Sequence, residues 1–380
     1  YRIDAIKSHR VHLKNLISSH SIMTFNVYNQ LTRTTDYTYK LIQLPKGLVE
    51  YMKKDAGKPL QFKAPTKVTN LLTICTDKDT YNVRQMNHLN TQLIVNDMAI
   101  NELNVHLDHT AAVGSKQLLA VGLASYIYEL TETEGQIETD QIPVYDGPRS
   151  DLLEATKTLA DVRNDSPIAA ECFMQTWHEL GGTVVAGKAV IMAPSIITDV
   201  LHTIISLMIA DDMSSFELDG MAAIAAEQNP LFTRDLISTV AHKFSNSANE
   251  TFTLDKERVA KWFGYETLRN QKIALSEKEL LLEWKASLPP FYNASLDLKL
   301  LLGNYCRPNT GKIRYLRAES LSSDLHTRIK EMFQIVKEWD YDEFLPFVRG
   351  FVPSSKKPDA VILKYARKKR VGKKFVVCPR

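Results

Sequence analysis

The chain has 380 residues, 44% of them hydrophobic and 24% charged, and a formal net charge of +3. That length allows two or three domains with substantial cores, and that composition is of a folded globular protein, which sets aside disordered and collagenous classes. Cys75, Cys172, Cys306 and Cys378 lie far apart with no CxxC pair. This spacing argues against a zinc site or a disulfide framework and fits a reducing compartment.

The sequence opens with Tyr1, and Met23 is the expected start. Residues 1–22 are then expected to be a non-native or disordered leader. From Tyr39 to about Asp140 the pattern is mostly strand: YKLIQL at 39–44, LQFKA at 60–64, NLLTICT at 70–76, TYNVRQM at 80–86, TQLIVN at 91–96 and LLAVGLASYIYELTE at 118–132. Polar, Pro and Gly breaks separate these runs. Regular short strands at this spacing predict a small barrel or sandwich whose exposed edges invite pairing with another chain.

From about Ser150 the period becomes helical. Leu152, Leu153, Thr156 and Leu159 share a face, and Pro167 opens a second helix that Gly181-Gly182 stops. TVVAGKAVIM reads as a hairpin, and Ile196 to Ile209 as a helix. The apolar run to Ala210 is broken by Pro194, Asp199 and His202, so it is no membrane span. A helix is predicted from Pro230 to Phe244. A short strand, a helix capped by Asp255 and a turn at Gly264 follow. Ser276 and Glu279 have capping-box spacing, and LDLKLLLGNYCRPNTGKIRYLRAE reads as a short helix and a two-stranded wing. The last unit is three helices and a strand: a long helix ending near Trp339, one over Asp342–Val348, and one from Pro358 through VILKYARKKR before KKFVV.

The last twenty residues hold eight Lys or Arg and no acid, against 39 basic and 44 acidic residues in the rest. Taken as a helix at about 100° per residue, 361–371 puts Val361, Ile362, Tyr365 and Ala366 on one arc. Lys364, Arg367, Lys368 and Arg370 fall opposite, with Lys369 a misfit on the apolar arc. One reading is a phosphate-gripping recognition helix with Lys373 and Lys374 on its wing. The others are a nuclear-localisation signal or a solvated face. Arg and Lys without Asn or Gln imply backbone contact and little base specificity. A second basic group, Arg307, Lys312, Arg314 and Arg317, falls on the preceding wing, where alternation turns Lys312 and Arg314 outward.

Signals for catalysis are weak. Gly182 to Lys188 matches GxxxxGK, but Ala189 replaces the Ser or Thr that must reach magnesium, and two valines favour a strand. His106, Asp108, His109, His178 and Glu179 lack metal-ligand spacing. Trp262, Phe263, Trp284, Phe291 and Tyr292 read as core and corners before base-stacking platforms. No cofactor is expected. A nucleotide-dependent enzyme using 182–189 is the outlying alternative.

YKLIQLP, IPVYDG at 142–147, WHELGG at 177–182, NPLFTRDLISTV, VAKWFGYETLR, LLEWKASLPPF at 281–291 and ILKYARKKRVGKKFVV together resemble the sister chromatid cohesion protein DCC family across nearly all of 23–380. The resemblance implies a non-catalytic subunit of an alternative replication factor C-like clamp loader in the nucleus. Its partners are that loader's specific large and small subunits, the DNA polymerase epsilon catalytic subunit, DNA and, indirectly, PCNA, with no membrane. The expected fold is α+β. A leader (1–22) and a β-rich barrel-type assembly module (23–140) precede three tandem winged helices at 150–212, 220–318 and 319–380, the first being the expected polymerase contact. A winged-helix transcription regulator binding DNA directly is the rival reading.

Overall fold

The computed structural model describes residues 25–29, 39–54, 57, 59–64, 72–97, 116–148, 157–248, 250–309, 311–352, 357–372 and 374–380. The chain divides into two compact units, 1–135 and 136–380. Residues 1–22, expected from sequence to be a leader, lie outside the described residues. Among the described residues no helix is long and apolar enough to cross a membrane.

The described residues of the first unit form one sheet and one helix. Its strands are β1 (Phe25–Asn29), β2 (Ile42–Gln43), β3 (Gln61–Lys63), β4 (Leu72–Cys75), β5 (Thr80–Asp97) and β6 (Lys116–Thr133), and its helix is α1 (Lys46–Lys54). Spatial order is β1-β6-β5-β4-β3, with β2 also on β6. The runs at 80–86 and 91–96 are one strand, because the break between them is absorbed as a register shift between Asn87 and Gln92 in the β5–β6 ladder. The run at 39–44 yields only β2, since Pro45 cannot continue a ladder and α1 begins one residue later.

No closed barrel exists among the described residues. The ends of the sheet, β1 and β2 at one side and β3 at the other, pair with interior strands and not with each other. Closure needs matched strand number, tilt and shear, which edge strands of two and three residues do not supply alone. Among the residues of this unit whose burial is described, the buried set through β6 is Leu48, Ile74, Cys75, Tyr81 and Ala124, with Thr73, Thr76 and Thr80.

The second unit repeats a single order of elements. It opens with β7 (Val144–Tyr145), α2 (Leu159–Asp165), α3 (Phe173–Glu179), β8 (Gly182–Val185) and β9 (Lys188–Met192). Then come α4 (Pro194–Ala210), β10 (Phe216–Glu217), α5 (Leu218–Gln228), α6 (Arg234–Phe244), β11 (Ser245–Ala248) and β12 (Thr251–Leu254). The third set is α7 (Lys256–Asn270), β13 (Leu275–Ser276), α8 (Glu277–Ser287), a 3-10 turn at Leu298–Leu301, β14 (Tyr305–Asn309) and β15 (Lys312–Tyr315). The last is α9 (Leu325–Ile335), β16 (Trp339–Asp340), α10 (Tyr341–Arg349), α11 (Pro358–Ile362), β17 (Ala366–Val371) and β18 (Lys374–Pro379).

Helix, two-residue strand, two helical segments and a hairpin thus recur from Pro194, Lys256 and Leu325. Each recurrence forms a three-stranded sheet with the second hairpin strand in the middle, namely β10-β12-β11, β13-β15-β14 and β16-β18-β17. The opening set has the same sheet order, β7-β9-β8, but β7 runs parallel to β9. The helix α4 heads the set that follows the first hairpin.

Local sequence explains most of these boundaries. Thr158 and Asp161 form a capping box on α2, as Ser276 and Glu279 do on α8. Asp255, Asp324 and Asp340 accept first-turn amides of α7, α9 and α10. The helix expected from Pro230 starts at Arg234, and the alanine-rich stretch before it forms α5. Gly264 is no turn but lies within α7. A Cβ there would stand 2.4 Å from the Trp284 ring, whose buried indole donates to Ala260 O at 2.8 Å.

Candidate nucleic-acid interface

The recognition helix expected over 361–371 is not formed. The helix α11 ends at Ile362, and Ala366–Val371 is a strand paired residue for residue with β18, from Ala366↔Pro379 to Val371↔Lys374. Read at period two, ARKKRV places Ala366, Lys368 and Arg370 on one face and Arg367, Lys369 and Val371 on the other. Lys369, which fits no helical arc, is an ordinary outward residue of this strand. Apolar partners decide the outcome. Val377, fully buried opposite Lys368, and Ala366 join a core that includes Trp339 and Phe344.

The two faces differ in charge pairing. Lys368 Nζ lies 3.1 and 2.9 Å from the two Asp359 oxygens, 3.7 Å from the centre of the Tyr341 ring and 4.7 Å from that of Phe375. Tyr341 donates its hydroxyl to Asp359 Oδ1 at 2.6 Å. That bond, then Lys368, holds the Asp359 carboxyl below its ordinary value. Burial, then the same bond, pushes the Tyr341 phenol up to about 12. Lys374 pairs with Asp340 at 3.0 Å, which raises its pKa. Arg370 Nε donates to Gly372 O at 3.3 Å. Lys364, Arg367 and Lys369 are exposed, and among the described residues they and Arg370 make no ion pair. Lys373 lies outside the described residues.

The second basic group divides in the same way. Arg307 gives Nε to Glu343 at 2.8 Å and Nη2 to Glu277 at 3.3 Å. It shares a cavity of about 320 Å³ with Lys374 and the carboxylates of Glu277, Glu338, Asp340 and Glu343. Acids outnumber bases there, so that cavity repels phosphate. Arg317 pairs with Glu319 at 3.1 Å. Lys312 and Arg314 point outward from β15, flanking the buried Ile313, and make no ion pair among the described residues. Of the cations singled out by sequence, Lys364, Arg367, Arg370, Lys312 and Arg314 make no ion pair among the described residues, although Arg370 bonds to Gly372 O and Arg314 to the Cys306 thiol, while Lys368, Lys374, Arg307 and Arg317 pair with carboxylates. Lys369 likewise makes no ion pair among the described residues, and strand periodicity is the signal that turns it outward.

The other candidates resolve into structure. Residues 182–188 form the β8–β9 hairpin, with Val185↔Lys188 closing a two-residue turn in which Ala186 and Gly187 have φ of 49° and 77°. Both values suit a type I′ turn, and the ladder occupies amides that a phosphate nest would need. His106, Asp108 and His109 lie outside the described residues. His178 stacks on His242 at 4.4 Å between ring centres, and burial, then His242, lowers its pKa to about 4. Among the described residues no three His, Cys, Asp or Glu gather to hold a metal. Trp284 and Phe263 are buried, and Trp262 donates to Thr198 Oγ1 at 3.0 Å. Phe291 alone of the aromatic residues weighed for stacking is largely exposed, at 89%.

Open sheet, recurrent helix–hairpin sets and basic hairpins define, among the described residues, an α+β protein. The family profile described as Sister chromatid cohesion protein Dcc1 matches residues 39–348, ending short of the basic C-terminal hairpin. The sister chromatid cohesion protein DCC1 of Saccharomyces cerevisiae is 30% identical over 371 residues, covering 91% of this chain and 97% of that protein. A Dictyostelium discoideum protein described as a probable sister chromatid cohesion protein DCC1 is 25% identical over 118 residues, 29% of this chain and 31% of its own. The chain belongs to the Dcc1 family of sister chromatid cohesion proteins.

Proposed function

We propose that this chain is a non-catalytic, nuclear scaffold subunit of an alternative replication factor C-like clamp loader. It links that assembly to DNA polymerase epsilon and to DNA for PCNA loading and unloading, cohesion and checkpoint signalling. Residues 194–254, 256–315 and 325–379 act as winged helices, and the incomplete set at 144–192 with α4 offers the polymerase contact. The first unit docks the loader's specific large and small subunits, whose strands complete the barrel.

The observation that carries this reading is the sheet of the first unit, which among the described residues is open and carries exposed apolar side chains. Leu93 and Leu123 lie opposite each other in the β5–β6 ladder and are 46% and 64% exposed. An exposed apolar pair in a sheet with short edge strands suits completion by another chain. DNA contact falls to the hairpin cations, because α11 has only five residues and no base-reading side chain. That same feature disfavours a promoter-reading regulator. Affinity purification of the tagged full chain from nuclei tests the proposal: clamp-loader subunits are expected in stoichiometric amounts, and their absence would sink it.

A further inference from the structure

Lys368 and Lys369 are neighbours of identical chemistry on the same strand, yet they stand in opposite environments. We propose that Lys368 is a positioning residue, the pin that holds β17–β18 against α10 and α11 so that Arg367 and Lys369 face the phosphates of a bound nucleic acid. The proposal rests on the DNA reading of this hairpin and assigns its parts.

The ammonium of Lys368 has three N–H groups. The two Asp359 oxygens and the face of Tyr341 occupy them, and Phe375 covers a further side. Contact with a phosphate would require leaving a carboxylate and two aromatic faces together, each a favourable partner for a cation. The hairpin needs such a pin. The strand β18 meets the rest of its sheet through two pairs only, Trp339↔Val377 and Asp340↔Val376. The strand β17 is the outer strand, and its other inward residues are the small Ala366 and Arg370, which bonds within the turn. Fixing Lys368 inward fixes its two neighbours outward, because successive strand side chains alternate. Arg367 and Lys369 then project about 6.6–6.8 Å apart along the strand, close to the step between successive phosphates of one nucleic-acid strand.

The test is equilibrium binding of the full chain to a short fluorescein-labelled DNA duplex of mixed sequence over a range of salt concentrations. For Lys369→Met the slope of log affinity against log salt falls by about 0.9, as loss of one phosphate contact requires. For Lys368→Met affinity falls about tenfold at every salt concentration, from loss of an ion pair and a cation–π contact, while the slope stays at the wild-type value. Lys368→Arg, which keeps the charge and the stacking, restores binding. Asp359→Asn weakens binding although it removes a negative charge. Loss of about 0.9 in slope from Lys368→Met, or tighter binding by Asp359→Asn, overturns the assignment. A wild-type chain with no salt-dependent DNA binding overturns the DNA reading itself, an outcome separable from the other two.

Discussion

At the scale of single residues, burial decides which chemistry is silent. His178 has its pKa lowered from 6.5 to about 4, first by burial and then by His242. The unfolded chain therefore binds a proton there between those values and the folded chain does not. Stability contributed by neutral His178 is full above pH 6.5 and is lost progressively as pH falls toward 4. Melting temperature measured across that range should decline less steeply for His178→Gln than for the wild type. Lys243 donates to the Glu179 carbonyl and lies 5.3 Å from the centre of the Trp262 ring, and burial lowers it to about 8. Its sign is the same: the unfolded state holds more protons between pH 8 and 10.5, so this group favours folding more as pH rises there. Gly264 is a tight packing site inside a helix. Alanine is worth about 1 kcal/mol in helix propensity, but its Cβ meets a fully buried Trp284. Overpacking of about 1–3 kcal/mol against that gain leaves Gly264→Ala with a net loss of up to about 2 kcal/mol, read by chemical denaturation.

Among the elements, sequence and structure part company where two periodicities compete. Helix caps were legible because one side chain and one amide define them: Asp255, Ser276 with Glu279, and the start at Pro358 all stand where their spacing predicts. The hairpin at 182–192 was legible from its valines. The segment at 361–371 was not, since Val361, Ile362, Tyr365 and Ala366 satisfy a helical arc while Ala366 and Lys368 also satisfy a strand. The partner strand that settles the choice lies across a turn, with Val377 in the core. Gly264 looked like punctuation because its reason, an indole twenty residues later, is tertiary. The register shift that fuses two short runs into β5 is likewise set by β6. Ion pairing was not legible for the same cause: sequence counts charges, but only the fold shows which carboxylates reach Lys368, Lys374, Arg307 and Arg317. At the β8–β9 turn, Ala186 holds a left-handed φ of 49°. Ala186→Gly should raise stability by about 0.5 kcal/mol, the relief of strain exceeding the added chain entropy, as read by a denaturation midpoint.

Taken whole, the molecule divides two kinds of surface between its two units. The first, among its described residues, has eight buried side chains between 39 and 133 and an exposed Leu93–Leu123 pair, which supports the proposal that other chains complete its sheet. The second, among its described residues, holds three hydrophobic clusters and displays cations at hairpins in its last two helix–hairpin sets. The central claim is that assembly and DNA contact are separate, and paired variants of the full chain test it most directly. Leu93→Asp with Leu123→Asp in one chain, and Arg367→Ala with Lys369→Ala in another, are each measured for recovery of clamp-loader subunits and for retention on DNA at low salt. The account predicts that the first pair loses the subunits and keeps DNA, while the second keeps the subunits and loses DNA. Loss of both properties in either variant, with the fold intact by circular dichroism, would contradict it.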